Sequence, residues 1–294
     1  MSERALVYYD LQEKTASANI SCLFPGWQPG DERVVILSPH DDDGLLGAGY
    51  VAQAALRDGA EVHLCIMCDG SAGYSTPEDK ESIVSVRQAE TLSAYEAIGL
   101  NDKHILRCNY PDFSLTGYVG WDLPDGSKGT MQCVLPQLRS LRTTRLLIPN
   151  GYREHIDHEA TQRVGQYVGP QIGDPVLADI GLAPPLRSML QYAVWGDFSP
   201  EDALVTGRWP VFRANRAIRA PAAFEERVTA GLRAYRSQAR IIEGLVAARS
   251  YRRLGDSWLE VYLIVDPRRA LDYGPYHSLI RRIDAMCQTT GVAG

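Results

Sequence analysis

The chain has 294 residues, 45% of them hydrophobic, with 30 basic and 36 acidic side chains and a formal net charge of −6. That length and composition suit one large domain with a full core, and the acidic balance, with no long basic run, disfavours nucleic-acid binding. No stretch of 18 apolar residues occurs, so no membrane span is expected, and no secretory leader is read at the N-terminus.

Six cysteines (Cys22, Cys65, Cys68, Cys108, Cys133 and Cys287) are too few for a disulfide scaffold at this length. Free thiols and a cytoplasmic location are expected. Cys65 and Cys68 form a C-x-x-C, but they fall within His63–Cys68, which reads as a strand, so their side chains are expected on opposite faces. No second cysteine pair completes a thiolate site. Buried, unreactive thiols are the expectation.

In chain order, residues 1–32 are a turn-rich lead-in that packs on the sheet. Val34–Leu37 is a short apolar run, read as a strand over 33–38 covered on both faces and ended by Pro39. Small and apolar residues at helical spacing follow over 43–57 and stop at Asp58-Gly59. Between strand and helix stand His40, Asp41, Asp42 and Asp43. Helix capping explains a carboxylate or two there. It does not explain three carboxylates beside a histidine, which repel one another and call for a cation. The stretch reads as half of a metal site with mixed nitrogen and oxygen ligands.

A strand over 61–68, a polar loop Asp69–Ser75, a helix over 77–98 and a strand over 104–108 come next. A long loop (113–128) and a helix (129–142) lead to a second apolar strand, 145–149, again ended by proline. His155, Asp157 and His158 follow, opening another helix. In a parallel sheet both loops emerge at the carboxyl ends of strands, where open α/β folds bind ligands. Beyond 170 the signals weaken. Pro170, Gly173-Asp174-Pro175 and Pro184-Pro185 mark loops; strands are read at 188–194, 209–214 and 258–265, and one helix at 224–248. Arg249, Arg252 and Arg253 read as a solvated helix end. The fold class is α/β: a Rossmann-like, mostly parallel sheet flanked by helices, one domain over 1–294 with its motifs in 33–170 and an extension over 171–294. No internal repeat is seen.

The two motif loops together resemble the LmbE-like, or PIG-L, family of zinc-dependent N-acetylglucosaminyl deacetylases. The family's His-Pro-Asp-Asp-Glu stands here as His40-Asp41-Asp42-Asp43-Gly44, and its His-x-Asp-His as His155-Ile156-Asp157-His158. Arg87-Gln88-Ala89-Glu90 matches its Arg-x-x-Glu, Pro111-Asp112 its Pro-Asp, and Ala234-Tyr235-Arg236-Ser237-Gln238 an Ala-Tyr-x-Ser-Gln often found in it. Asp41 and Gly44 are departures: the first adds a charge near the metal, the second removes a group that orients the loop.

The resemblance implies that His40, Asp43 and His158 bind one Zn2+, leaving room for water and a substrate oxygen. Asp42 is then the general base. His155 is assigned to the oxyanion side as an imidazolium, with Asp157 holding its ring and raising its pKa. The alternative use of Asp157 is to cap the helix it opens. Arg87 and Asp112 are expected to contact polar groups of the substrate, a small-molecule amino-sugar conjugate losing its N-acetyl or other N-acyl group. Family members act on inositol-linked sugars, glycopeptide antibiotics and chitin-type oligosaccharides. Ester or phosphoester hydrolysis, or metal binding without catalysis, are the other readings. Oligomeric state is not legible.

Overall fold

The computed structural model describes residues 5–200, 212–268 and 270–290. A hairpin of β1 (Val7–Asp10) and β2 (Thr15–Ser17) precedes β3 (Arg33–Ser38) and α1 (Asp43–Arg57). Then come β4 (Glu61–Cys68), α2 (Ile83–Glu96), β5 (Ile105–Tyr110), α3 (Thr130–Ser140), β6 (Arg145–Pro149), α4 (Ile156–Ile172) and β7 (Ser188–Tyr192). After β8 (Arg216–Pro221) follow α5 (Ala222–Leu232), α6 (Ala239–Ala248), β9 (Arg253–Leu254), β10 (Ser257–Val265) and α7 (Gly274–Thr290). None of the described helices is long and apolar enough to cross a membrane.

All the described strands join one sheet in the order β2-β1-β8-β10-β7-β6-β3-β4-β5, with β9 beside β10. Strands β7, β6, β3, β4 and β5 run parallel to one another, and β10, beside β7, begins an antiparallel extension through β8, β1 and β2. The fold is therefore α/β as expected, with a parallel centre and an antiparallel wing. From β3 the chain proceeds to β4 on one side, and β6 lies on the other. The order reverses between β3 and β6, and their carboxyl-end loops diverge there to leave a crevice.

The centre forms because β3, β4 and β6 carry uninterrupted apolar runs, with alternate residues going to opposite faces. Val34 and Ile36 join a core with Leu45 and Val51 of α1 and Val228 of α5. Val35 and Leu37 join another with Leu138 of α3 and Val164 and Val168 of α4. The sheet is thus sandwiched between helices.

Several elements differ from expectation. The helix expected from Pro77 starts at Ile83, after a 3-10 turn over Pro77–Asp79. Pro170 lies inside α4 instead of ending it. The single helix expected over 224–248 is α5 and α6, separated by a turn at Tyr235–Gln238. Of the strand expected over 209–214, residues 209–211 lie outside the described residues, and 212–214 do not form a strand. Cys65 and Cys68, expected on opposite faces of β4, both belong to the core that includes α3 and α4. Their thiols are free, and Cys65 meets Cys108 at 3.9 Å. Arg249 and Arg252 are no solvated helix end. Arg249 is buried and bidentate on Glu225 (2.7 and 2.6 Å), Arg252 pairs with Glu260 (2.8 Å), and both donate to the Leu46 carbonyl. They fasten the β10 region to α1.

Candidate metal centre

The loop after β3 is held by hydroxyl groups. The Ser38 hydroxyl donates to the His40 carbonyl (2.6 Å) and accepts from the Gly44 N–H (3.0 Å). Tyr192 donates to the Leu37 carbonyl (2.7 Å) and Tyr235 to the Asp41 carbonyl (2.8 Å), both from buried positions. Gly44 allows the tight turn into α1: a Cβ there would meet the Tyr95 hydroxyl at 2.6 Å and Leu64 at 2.8 Å. Space that a larger residue would need is filled by Tyr95.

This bracing aims the acidic loop at the loop after β6. Asp43 Oδ2 lies 3.0 Å from His40 Nδ1, 3.0 Å from His158 Nε2, and 2.9 Å from the His40 backbone N–H, which donates to it. Among the described residues, His40, Asp43 and His158 form one of the groupings whose ligand atoms all lie within 4.8 Å of one another. Both imidazoles have a carboxylate on their other nitrogen. His40 Nε2 is 3.2 Å from Asp157 Oδ2, and His158 Nδ1 is 3.2 Å from Glu154 Oε2. Two nitrogens converging on one buried carboxylate oxygen, each ring backed by an anion, is a donor set that suits a divalent cation. The electrostatics agree. Burial works against charge on His158, but Asp43 and the Glu154 hydrogen bond outweigh it and hold its pKa up at about 9. Burial would raise the pKa of Asp43, and His158 and His40 overcome it, holding it well below the carboxylate range.

Asp42 stands at the N-cap position of α1 yet makes no capping hydrogen bond with its side chain. It lines the cleft instead. Burial, then the charge of Asp43, pushes its pKa up. Asp41 turns away from the centre: its carboxylate is wholly buried and accepts from Arg87 Nε (2.9 Å), from Thr91 (2.7 Å) and from Arg107.

The second motif departs from expectation in detail. His155, not Asp157, is the N-cap of α4, its Nδ1 accepting the Asp157 N–H at 3.2 Å. The Asp157 carboxylate accepts the Phe113 and Leu115 N–H groups (2.7 and 3.1 Å) and contacts His40, leaving His155 at 3.7 Å. Burial and the neighbouring His40 lower the pKa of His155, against the rise expected from Asp157. With Nδ1 accepting the Asp157 N–H, Nε2 is the nitrogen left to carry the ring proton.

Arg87 and Asp112 both line the cleft. Arg87 makes no ion pair with Glu90, which instead accepts from the Ser237 N–H (2.8 Å) and hydroxyl (2.7 Å). The Arg-x-x-Glu and Ala-Tyr-x-Ser-Gln stretches are thereby joined. Arg87 is positioned by Asp41 and not by Asp112. Asp112 accepts from Gly70 and Ala72 (3.0 Å each) and so folds the 69–75 loop over the site.

The cleft measures about 250 Å3. Phe113, Trp195, Ile241 and Leu245 form its apolar rim, and Phe113 holds a left-handed φ of 61° while its N–H reaches Asp157. None of these rim residues, nor Glu154, Thr91 or Arg107, stands out in the sequence. Glu154 alone had a visible cue: it precedes His158 by four residues, at the edge of the second motif.

A family described as PIG-L, GlcNAc-PI de-N-acetylase, matches residues 35–168. No curated protein matches the chain in sequence. Among solved structures the chain is similar to a conserved protein of Thermus thermophilus (22% identity, TM-score 0.58, over 81% of this chain and 96% of that one). It is also similar to N,N′-diacetylchitobiose deacetylase of Pyrococcus horikoshii (19%, 0.60, 80% and 84%). A third is 4-carboxy-2-hydroxymuconate hydratase of Pseudomonas putida (13%, 0.57, 82% and 99%). At such identities the likeness is one of fold, and a fold shared with a hydratase does not fix the reaction.

Proposed function

Since this chain belongs to the PIG-L family through residues 35–168, we propose that it is a metal-dependent hydrolase that removes the N-acetyl, or another N-acyl, group from an amino-sugar conjugate. The observation that carries this reading is the convergence of His40 Nδ1 and His158 Nε2 on Asp43 Oδ2 at 3.0 Å each, with the uncapped Asp42 carboxylate beside them in the same cleft.

His40, Asp43 and His158 would hold one divalent metal, with zinc the first choice for two imidazoles and a carboxylate. Such an ion supplies Lewis acidity toward an amide carbonyl and lowers the pKa of water toward about 7. Asp42 is the general base. It lies next in sequence to a ligand, keeps both oxygens free of capping bonds, and has a raised pKa, which suits taking a proton from water and delivering it to the leaving amine. His155 serves as a neutral donor: its Nε2–H faces the developing oxyanion while Nδ1 is occupied by the helix it caps. This replaces the imidazolium role expected from the sequence.

A cleft of this size suits a group of about one sugar ring. Arg87 and Asp112 supply polar contacts, and Phe113 and Trp195 offer flat faces for a pyranose to stack on. The test is release of acetate from a panel of N-acetylglucosamine conjugates by zinc-loaded protein, with Asp42→Ala as control. Acetate that appears with the wild type and vanishes with the variant supports the reading. Zinc-loaded protein that releases no acid from any N-acyl conjugate overturns it and turns attention to ester and phosphoester bonds.

A further inference from the structure

We infer that Glu154 is a positioning residue: it fixes the tautomer of His158 and ties that ring to the wall of the cleft. The inference rests on the metal-centre reading above. Glu154 lies in the loop between β6 and α4, just after Arg153, whose left-handed φ of 56° turns the chain. Its side chain is wholly buried, and among the described residues no lysine or arginine pairs with it. A buried carboxylate without a cation needs other donors. Glu154 finds them in three consecutive backbone N–H groups. Oε1 accepts from Val194 (3.1 Å), Trp195 (3.1 Å) and Gly196 (3.0 Å), and Oε2 also accepts from Trp195 (3.1 Å). Oε2 also lies 3.2 Å from His158 Nδ1, an ion-pair distance to a buried ring nitrogen that has no aligned hydrogen-bond partner among the described residues.

That contact has a chemical consequence. A carboxylate accepts only, so Glu154 favours the form of the His158 ring that carries a proton on Nδ1. Nε2, which faces Asp43 Oδ2 at 3.0 Å, is then the nitrogen left to offer a lone pair to a metal. The carboxylate also raises the basicity of the ring. Because its other oxygen holds the 194–196 backbone, ligand and rim are fixed by one side chain: Trp195 lines the cleft from that same segment.

Glu154→Gln separates this role from simple anchoring. Three N–H donors on one side require the amide oxygen there, which turns the NH2 toward His158 Nδ1. The ring must then accept at Nδ1 and carry its proton on Nε2, the wrong tautomer for a ligand. Zinc affinity, measured by competition with a chromophoric chelator, is expected to weaken about 10–100-fold. The urea midpoint of the metal-free variant is expected to stay close to wild type. Ring nitrogen shifts of His158 in the zinc-loaded wild type provide a measurement that needs no variant: Nδ1 protonated and Nε2 metal-bound is the expected pattern. Wild-type zinc affinity in Glu154→Gln, or ligation through Nδ1, overturns this inference alone. Wild-type protein that binds neither zinc nor cobalt at the site overturns the metal-centre reading and this inference with it.

Discussion

Asp41 and Arg87 meet 2.9 Å apart where solvent does not reach, their side chains 0% and 3% exposed. Arg107 and Thr91 close on the same carboxylate. The departure from the family motif at position 41 is therefore a counter-ion. It pairs with two guanidinium groups behind the cleft and sets the direction of Arg87, whose Nη2 comes within 3.9 Å of Asp42. Asp41→Ala leaves two cations without their shared partner, and breaking a buried pair from one side costs about 3–5 kcal/mol. Urea unfolding is expected to show a lower midpoint at an unchanged m-value. A loss below about 1 kcal/mol would mean that water or a neighbour substitutes for the carboxylate.

The second prediction concerns metal and stability together. A ligand that binds only the folded state stabilises it by about 2.7 kcal/mol at a hundred times its Kd. Added zinc should therefore raise the melting temperature of the wild type, and a chelator should reverse it. Asp43 touches both His40 and His158. Asp43→Ala is expected to abolish the zinc-dependent shift. A shift of wild-type size in that variant would take Asp43 out of the site.

The sequence was most readable where local pattern and tertiary role coincide. The apolar runs at Val34–Leu37 and Leu146–Ile148 had to be buried strands, and proline ended each. That also located the two motif loops, since parallel strands put them at one edge. Legibility failed where long-range contacts decide the outcome. β8 is Arg-Ala-Ile-Arg-Ala-Pro, built from weak strand formers, and exists because β1 and β10 flank it. Nothing in the sequence breaks the 224–248 helix. The break follows from Tyr235 reaching the Asp41 carbonyl and Ser237 reaching Glu90. Asp157 and His155 each had a plausible use on paper. Only the crossing of the 113–115 backbone over α4 assigns the Asp157 carboxylate to Phe113, Leu115 and His40.

Gly70 provides a third test. Its φ is +80°, and a Cβ would lie 2.9 Å from Arg87 Cδ and Nε and 3.0 Å from Asp41 Oδ2. The 69–75 loop thus crosses the Arg87–Asp41 pair with bare backbone. Gly26 has a similar φ of +69° but nothing within 4 Å of the added carbon. Gly26→Ala is expected to show the left-handed backbone penalty alone, about 1–2 kcal/mol. Gly70→Ala is expected to lose about 1–3 kcal/mol more through crowding. Equal losses in urea unfolding would show that Arg87 moves aside freely.

The last prediction lies at the opposite edge of the sheet. Glu32 is buried ahead of β3 and receives Arg145 Nε and Nη2 (2.9 and 2.8 Å), Arg187 Nη1 (2.9 Å), the Thr144 hydroxyl (2.6 Å) and the Gln28 N–H (2.9 Å). Burial pushes its pKa up, but the hydrogen bonds from Arg145, Thr144 and Gln28 prevail and bring it down to about 2. An unfolded glutamate titrates near about 4.3. A folded pKa below the unfolded one gives stability that is complete above about pH 5 and is lost as pH falls toward 2, because the unfolded chain takes up the proton first. Glu32→Gln should therefore be less stable than wild type at pH 7, by about 3–5 kcal/mol for a broken buried pair. The difference should shrink as pH drops from about 5 to about 3, because the unfolded wild type takes up a proton over that range while folded Glu32 keeps its charge, and the unfolded variant has nothing to titrate there. Urea unfolding of both proteins across that range measures it. A gap as wide at about pH 3 as at pH 7 would mean that packing, not the charge on Glu32, holds Arg145 in place.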